Sequence, residues 1–139
     1  MQSAFVTGAC GFIGFSLTRE LLGRGYEVVG LDNFNSYYDP SLKRSRLRIL
    51  EESPNFRLWE GDIEDRDLIR GLVSLQDPDI VVHLAAQAGV RHGLHAPDDY
   101  FQSNLVGTYE LLETLRRCPP RHLLLASSSS VYGGSRNRR

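Results

Sequence analysis

The sequence predicts an α/β fold in which helices cover both faces of a parallel sheet. Short apolar runs alternate with amphipathic segments of helical period along the chain. The apolar runs lack the polar alternation of a half-exposed strand, so they fit strands that are buried on both faces. Right-handed crossovers between such units give a doubly wound sheet, which we predict in the strand order 3-2-1-4-5.

Local spacing supports each element in turn. Strand one at residues 4–7 leads through glycines into a helix that carries Ile13, Leu17 and Leu21 at helical spacing. Gly25 follows where that helix would end. The remaining predicted elements are strand two at 27–31, a helix at 41–50, strand three at 56–59, a helix at 66–75, strand four at 80–84, a long helix from 98 to about 117, and strand five at 122–126.

Composition indicates one ordinary globular domain. The chain has 139 residues, of which 41% are hydrophobic and 24% are charged. A net charge of -1 gives no electrostatic reason to expect nucleic acid or an anionic membrane as a partner. The sequence shows no signal peptide and no apolar run of membrane-spanning length, so we expect a cytoplasmic location.

The most informative segment is the glycine turn between the first strand and the first helix. Backbone N–H groups at a helix N-terminus point outward without partners, so an anion binds there without a cationic side chain. Each glycine has a steric role: we expect Gly8 to permit the sharp turn, Gly11 to let a ligand approach the backbone, and Gly14 to let the helix lie close to the strand. The segment therefore predicts a pyrophosphate site.

Asp32 and two later strand ends extend this site. Asp32 closes strand two, about 20 residues after the glycine turn, where a carboxylate accepts hydrogen bonds from both ribose hydroxyls of an adenosine. The carboxylate repels a 2′-phosphate and Asn33 is not an arginine, so NAD is favoured over NADP. Asp62 is placed to accept from the adenine amino group while Ile63 packs on the ring. Both aspartates could instead cap a helix or turn.

Small residues follow strand four, at 84–89, and would let a flat cofactor lie across the strand ends, although alanines are also ordinary core residues. Cys10 is interpreted as a small tolerated side chain rather than a nucleophile. His92 and His95 are interpreted as part of a solvated loop, because a zinc site needs further ligands, and we predict no metal. His83 is interpreted as a packed strand residue, and the basic run 43–48 as a solvated helix face.

Six informative motifs lie at 7–14, 32–33, 61–63, 83–86, 104–108 and 126–133. Together they resemble the extended short-chain dehydrogenase/reductase family, and within it the nucleotide-sugar epimerases and dehydratases. The resemblance covers the chain to about Gly134 and implies a Rossmann-like, NAD-binding sheet. Stretches at 31–40, at 85–91 and at the serines 127–130 resemble the UDP-glucuronate 4-epimerases in particular.

The resemblance assigns roles by position. Phe12 and Ile13 line the pyrophosphate turn, and Ser128 matches the catalytic serine or threonine, although from the residues alone it fits a strand-end serine that caps backbone. The other implied cofactor contacts are Asp32, Asn33, Asn35 and Ser36 at the adenosine ribose, Asp62 and Ile63 at adenine, Leu84, Ala85, Ala86 and Gln87 under the middle of NAD, and Ser103 near the nicotinamide.

The family reaction also needs a tyrosine and a lysine in a Tyr-x-x-x-Lys motif, and this chain has none. Tyr132 is followed four residues later by Arg136, which stays protonated and could not supply the same tuning. We therefore expect 1–134 to be an incomplete NAD-binding domain that is truncated after strand five, 135–139 to be a polar basic tail, and the substrate domain to be absent.

The resemblance implies that the full-length protein acts on a UDP-sugar as a 4-epimerase, and it allows a homodimer. Two alternatives stay open. The first is a non-catalytic dinucleotide-binding module. The second is a dehydratase or reductase of the same family, and the dehydratase is disfavoured because Ser129 and Ser130 stand where an Asp-Glu pair is expected.

Overall fold

Five parallel strands form one sheet in the order β3-β2-β1-β4-β5, which confirms the predicted topology. The computed structural model describes residues 1–134, so the predicted tail at 135–139 lies outside the described residues. The strands are β1 (Ser3–Thr7), β2 (Glu27–Asp32), β3 (Phe56–Glu60), β4 (Ile80–His83) and β5 (His122–Leu125).

Helices connect consecutive strands. The three that follow β1, β2 and β3 are α1 (Phe12–Gly23), α2 (Pro40–Leu50) and α3 (Arg66–Gln76). The long helix predicted after β4 is divided into α5 (Pro97–Tyr100), a π-helical segment (Phe101–Val106) and α6 (Gly107–Arg117). A 3-10 turn (Ser129–Tyr132) follows β5.

Helices cover both faces of the central strands, because alternate residues of each strand point to opposite sides of the sheet. One face packs against α3 and α6, and the other against α1 and α2. The first cluster includes Phe5, Leu31, Ile69, Leu72, Val81 and Leu111. The second includes Ala4, Val6, Val28, Leu50, Phe56 and Val82.

The edge strand β5 differs from its prediction as a strand buried on both faces. Within the described residues it pairs with β4 alone, and all four of its residues are exposed. Leu124 retains 54% of its accessible surface. The predicted strand order already placed β5 at an edge of the sheet, and only its burial was predicted wrongly.

The segment that carries His92 and His95 was predicted to be a loop, and this was wrong. It forms the short helix α4 (Val90–His95), which begins after Gly89 at φ 89° and ends at Ala96. Ala96 precedes Pro97, and the residue before a proline is disfavoured in the helical conformation, which explains the end of α4.

Gly14 should be the glycine at which α1 tolerates a side chain least. A Cβ at Gly14 would overlap the carbonyl oxygen of Gly8, whereas a Cβ at Gly23 meets nothing within 4 Å. We expect Gly14→Ala to lower the free energy of unfolding by about 1–3 kcal/mol, the usual cost of overpacking. Gly23→Ala should be neutral or slightly stabilising, because alanine favours the helix.

Urea denaturation of both variants measures this difference. Equal unfolding midpoints for Gly14→Ala and Gly23→Ala would show that the close approach of α1 to the turn is not a packing constraint.

Candidate functional site

A cavity of about 700 Å³ opens at the carboxyl ends of the strands, between the glycine turn, the start of α2 and the segment that follows β4. Most residues predicted to bind the cofactor line this one cavity. They are Gly8, Gly11, Phe12, Ile13, Gly14, Asp32, Asn33, Asn35, Ile63, Leu84, Ala85, Ala86, Gln87 and Ser103.

The glycine turn directs the first N–H groups of α1 toward the cavity. Gly8 has φ 70°, a conformation that favours glycine, and α1 begins directly after Gly11. The N–H groups of the turn itself are used within the chain: those of Gly8 and Ala9 donate to the carbonyl of Leu31, that of Cys10 to Asp32, and that of Gly11 to the carbonyl of Gly8.

The donors left for an anion are therefore those at the start of the helix. The first N–H groups of any α-helix lack intrahelical acceptors, and no described side chain caps α1. Phe12 and Ile13, which lie here, line the cavity although their side chains are 80% and 63% exposed. The helix dipole adds partial positive charge at the same point. This end of the cavity is suited to a phosphate group.

Asp32 is the acidic centre of the cavity. Its side chain is only 1% exposed, and its carboxylate accepts three hydrogen bonds from the chain. Oδ2 accepts from the N–H of Cys10 at 3.0 Å. Oδ1 accepts from the N–H of Phe34 at 3.0 Å and from Nζ of Lys43 at 2.8 Å. The ion pair with Lys43 keeps the buried carboxylate from being an uncompensated charge.

The basic run at 43–48 was predicted to be a solvated helix face, and for Lys43 and Arg46 this was wrong, whereas Arg44 is exposed as predicted. Lys43 pairs with Asp32, and Nη1 of Arg46 donates to the Cys10 carbonyl at 3.1 Å. Arg44 lies 3.7 Å from the centre of the Phe34 ring and forms two hydrogen bonds with Glu60. Lys43 and Arg46 also line the cavity, so sequence analysis missed two cationic site residues.

A signal for these two residues was present in the sequence. Positions three apart on a helix share one face, so Lys43 and Arg46 had to point the same way. Deciding whether that face met solvent or the site required the position of α2 beside the glycine turn.

Three predicted residues lie apart from the cavity lining. Ser36 lines a neighbouring polar cavity of about 550 Å³. Oδ1 of Asp62 accepts a hydrogen bond from the Asn33 side chain at 2.9 Å, so Asp62 fixes a residue that does line the site. Ser128 is exposed, and its Oγ accepts from the N–H of Ser130 at 3.1 Å. That contact is the backbone cap which the sequence offered as the alternative for Ser128.

A buried chain of polar side chains supports the cavity floor. His83 Nδ1 lies 2.7 Å from Thr7 Oγ1, and His83 Nε2 lies 3.0 Å from Thr108 Oγ1. Thr7 Oγ1 also accepts from the N–H groups of Leu84 and Ala85. Because that oxygen already accepts two bonds, its hydroxyl donates to Nδ1, and Nε2–H donates to Thr108. Burial lowers the pKa of His83 to about 4, which keeps it neutral in this arrangement.

The fold buries Cys10 and places His92 beside a carboxylate. Burial raises the pKa of the Cys10 thiol to about 12, so it stays protonated near neutral pH and is no nucleophile. His92 Nε2 lies 2.8 Å from Asp99 Oδ2.

Within residues 1–134, no group of three or more His, Cys, Asp or Glu side chains could hold a metal ion. No helix in the same range has the length and apolarity to cross a membrane.

Comparison with known proteins places this geometry in a family. Residues 4–138 match the NAD dependent epimerase/dehydratase family, and the chain belongs to it. The chain is 43% identical over 130 residues to a probable UDP-glucuronate 4-epimerase of Rhizobium meliloti (strain 1021), a match that covers 94% of the chain and 38% of the relative. It is 49% identical over 132 residues to UDP-glucuronate 4-epimerase 4 of Arabidopsis thaliana, a match that covers 94% of the chain and 30% of that protein.

A solved structure agrees with the same placement. UDP-glucuronic acid 4-epimerase from Bacillus cereus, crystallised with UDP-glucuronic acid and NAD, superposes with a TM-score of 0.89 at 36% sequence identity. The match covers 98% of this chain and 43% of that chain. The chain therefore spans less than half the length of the relatives that it matches.

The neutral state of His83 gives a pH dependence of stability. An unfolded histidine has a pKa of about 6.5, so the unfolded state binds a proton that folded His83 rejects until the pH approaches 4. The contribution of His83 to the free energy of unfolding is therefore fully present above about pH 6.5, and it falls as the pH drops toward 4. Between pH 8 and pH 5 the loss should be about 2 kcal/mol.

Urea denaturation at these two pH values, in the wild type and in His83→Gln, measures this contribution. The glutamine variant removes the titration and retains hydrogen-bonding groups, so its stability should fall less over the same interval. An equal fall in both proteins would contradict the assignment of a neutral His83.

Proposed function

We propose that this chain is the cofactor-binding part of an NAD-dependent UDP-sugar 4-epimerase, and that its cavity binds NAD. The observation that carries the proposal is that one cavity contains both a site suited to a phosphate and an acceptor for ribose hydroxyls. N–H groups without a side-chain cap lie at the start of α1, and a buried carboxylate lies at Asp32 at the end of β2. A dinucleotide needs this combination, because it presents a diphosphate and a ribose at adjacent positions.

The remaining walls of the cavity fit the other parts of NAD. Phe12 and Ile13 expose apolar surface that a bound dinucleotide would cover. Ile63 would pack on adenine, and the small residues at 84–88 would let the cofactor lie across the end of β4. NAD, when bound, accepts a hydride from a sugar carbon and returns it. The part that this chain's own residues play in that chemistry is to hold and orient the cofactor.

The substrate is proposed from the relatives. The relatives reported above are named for UDP-glucuronate or UDP-glucuronic acid, so we propose a UDP-sugar of this kind as the substrate of the whole protein. We also propose a cytoplasmic location for the whole protein. The 139 residues contain no Tyr-x-x-x-Lys motif. We therefore propose that the group that removes the sugar hydroxyl proton lies outside them. Ser128 remains our proposal for the residue that binds the sugar oxygen, in exchange for its present contact with Ser130.

The missing motif also favours a second candidate function, in which the 139-residue chain binds a dinucleotide without catalysis. Both proposals predict NAD binding by the chain as given. They differ for the protein in its longest natural form, which should epimerise UDP-glucuronate under the first proposal and leave it unchanged under the second.

Gly11→Val should weaken NAD binding strongly, although its Cβ would lie 3.2 Å from the Gly8 carbonyl oxygen and so requires a small shift of the turn. The added side chain would occupy the space beside the first N–H groups of α1, where the diphosphate is expected. Gly71→Val on α3 is the matched control, because a Cβ at Gly71 meets nothing within 4 Å. Isothermal titration should show NAD binding to the wild type and to Gly71→Val, and a loss of at least about a hundredfold in Gly11→Val.

Circular dichroism spectra of the three proteins check that each is folded. Normal NAD affinity in folded Gly11→Val would contradict the proposed position of the diphosphate. Absence of NAD binding in the wild type would contradict the proposed function itself.

A further inference from the structure

We propose that Asp32 and Lys43 divide the adenosine ribose of the cofactor between them, Asp32 binding one hydroxyl and Lys43 the other. This inference rests on the proposed NAD site. It differs from the sequence-based expectation that Asp32 accepts from both hydroxyls, and it gives a binding role to a residue of the basic run at 43–48.

The Asp32 carboxylate has few acceptor positions left for a ligand. A carboxylate offers about four acceptor positions, two on each oxygen. Oδ1 has both positions filled, by the N–H of Phe34 and by Nζ of Lys43. Oδ2 has one position filled, by the N–H of Cys10. One acceptor position is left, so Asp32 can bind one ribose hydroxyl in this geometry.

Lys43 has N–H donors that the chain leaves available. A lysine ammonium group has three N–H donors, and among the described residues Nζ makes one hydrogen bond, to Asp32. Its side chain is 15% exposed, and the residue lines the cavity. Two N–H donors of Lys43 are therefore available beside the Asp32 carboxylate, which would bind the first ribose hydroxyl. A neighbouring hydroxyl oxygen is an acceptor that they could reach.

Lys43 lies in an unfavourable position on its helix that its ion pair compensates. Asp39 caps α2 through the N–H of Ser41, so Lys43 lies near the N-terminus of that helix, where the dipole disfavours a cation. The pair with buried Asp32 offsets this cost. Arg46 holds the same face of α2 to the Cys10 carbonyl. Lys43 is thus held at the site by its own ion pair with Asp32 and by the contact of Arg46 on the same face of the helix.

Titration of the intact chain with three ligands tests the inference. The ligands are NAD and two analogues that lack either the 2′- or the 3′-hydroxyl of the adenosine ribose. Lys43→Met removes the donors and retains the aliphatic stem. Arg48→Met is the matched control, because Arg48 is an exposed cation on the same helix.

The wild type and Arg48→Met should bind each analogue about tenfold more weakly than NAD, since each lost hydroxyl leaves a charged group without its hydrogen bond. Lys43→Met should bind NAD about tenfold more weakly than the wild type. Lys43→Met should also bind one analogue as tightly as it binds NAD, because the hydroxyl that this analogue lacks is the one that Lys43 would bind. It should still bind the other analogue more weakly than NAD. A purely structural role of Lys43 would not produce this difference between the analogues.

Three results would overturn the inference. One is a Lys43→Met variant that binds all three ligands as the wild type does. Another is a variant in which all three affinities fall by one common factor, because Lys43 would then act only by supporting Asp32. The third needs no variant: a wild type that binds either analogue as tightly as NAD. If the wild type binds NAD in none of these titrations, the proposed function fails together with the inference.

Discussion

The buried carboxylate of Asp32 is the constraint on which the site depends. It connects three elements that are distant in sequence: the glycine turn through the N–H of Cys10, the β2–α2 loop through the N–H of Phe34, and α2 through Lys43. An unpaired charge at this depth would cost several kcal/mol, so the three elements are held in one arrangement. The turn is also fixed from its other side, because its first two N–H groups donate to the carbonyl of Leu31. The cavity is thus formed by contacts within the chain.

The central strands and the glycine turn that begins the site could be predicted from the sequence, because both depend on local rules. Apolar runs without alternation predicted buried strands, and the spacing of Gly8, Gly11 and Gly14 predicted a turn into a helix. The crossover rule then gave the strand order. These predictions needed no knowledge of how distant segments meet.

The features that were missed depend on contacts between distant segments. A solvated helix and one that faces a site have the same basic sequence, so the inward position of Lys43 and Arg46 was decided by α2 lying beside the glycine turn. Strand β5 and its place at the sheet edge were predicted, but its exposure was not, since an apolar run does not show whether helices cover the strand. The catalytic role that the resemblance assigned to Ser128 stays a prediction, and in this structure its Oγ accepts from the N–H of Ser130.

The central claim is that the first N–H groups of α1 bind the diphosphate of NAD. The most direct measurement is a ¹⁵N–¹H NMR titration of the chain with NAD. The account predicts that the amide signals of Phe12 and Ile13 move downfield on saturation, as expected for new hydrogen bonds to phosphate oxygens. Binding of NAD that leaves both amide signals in place, while signals elsewhere move, would contradict it.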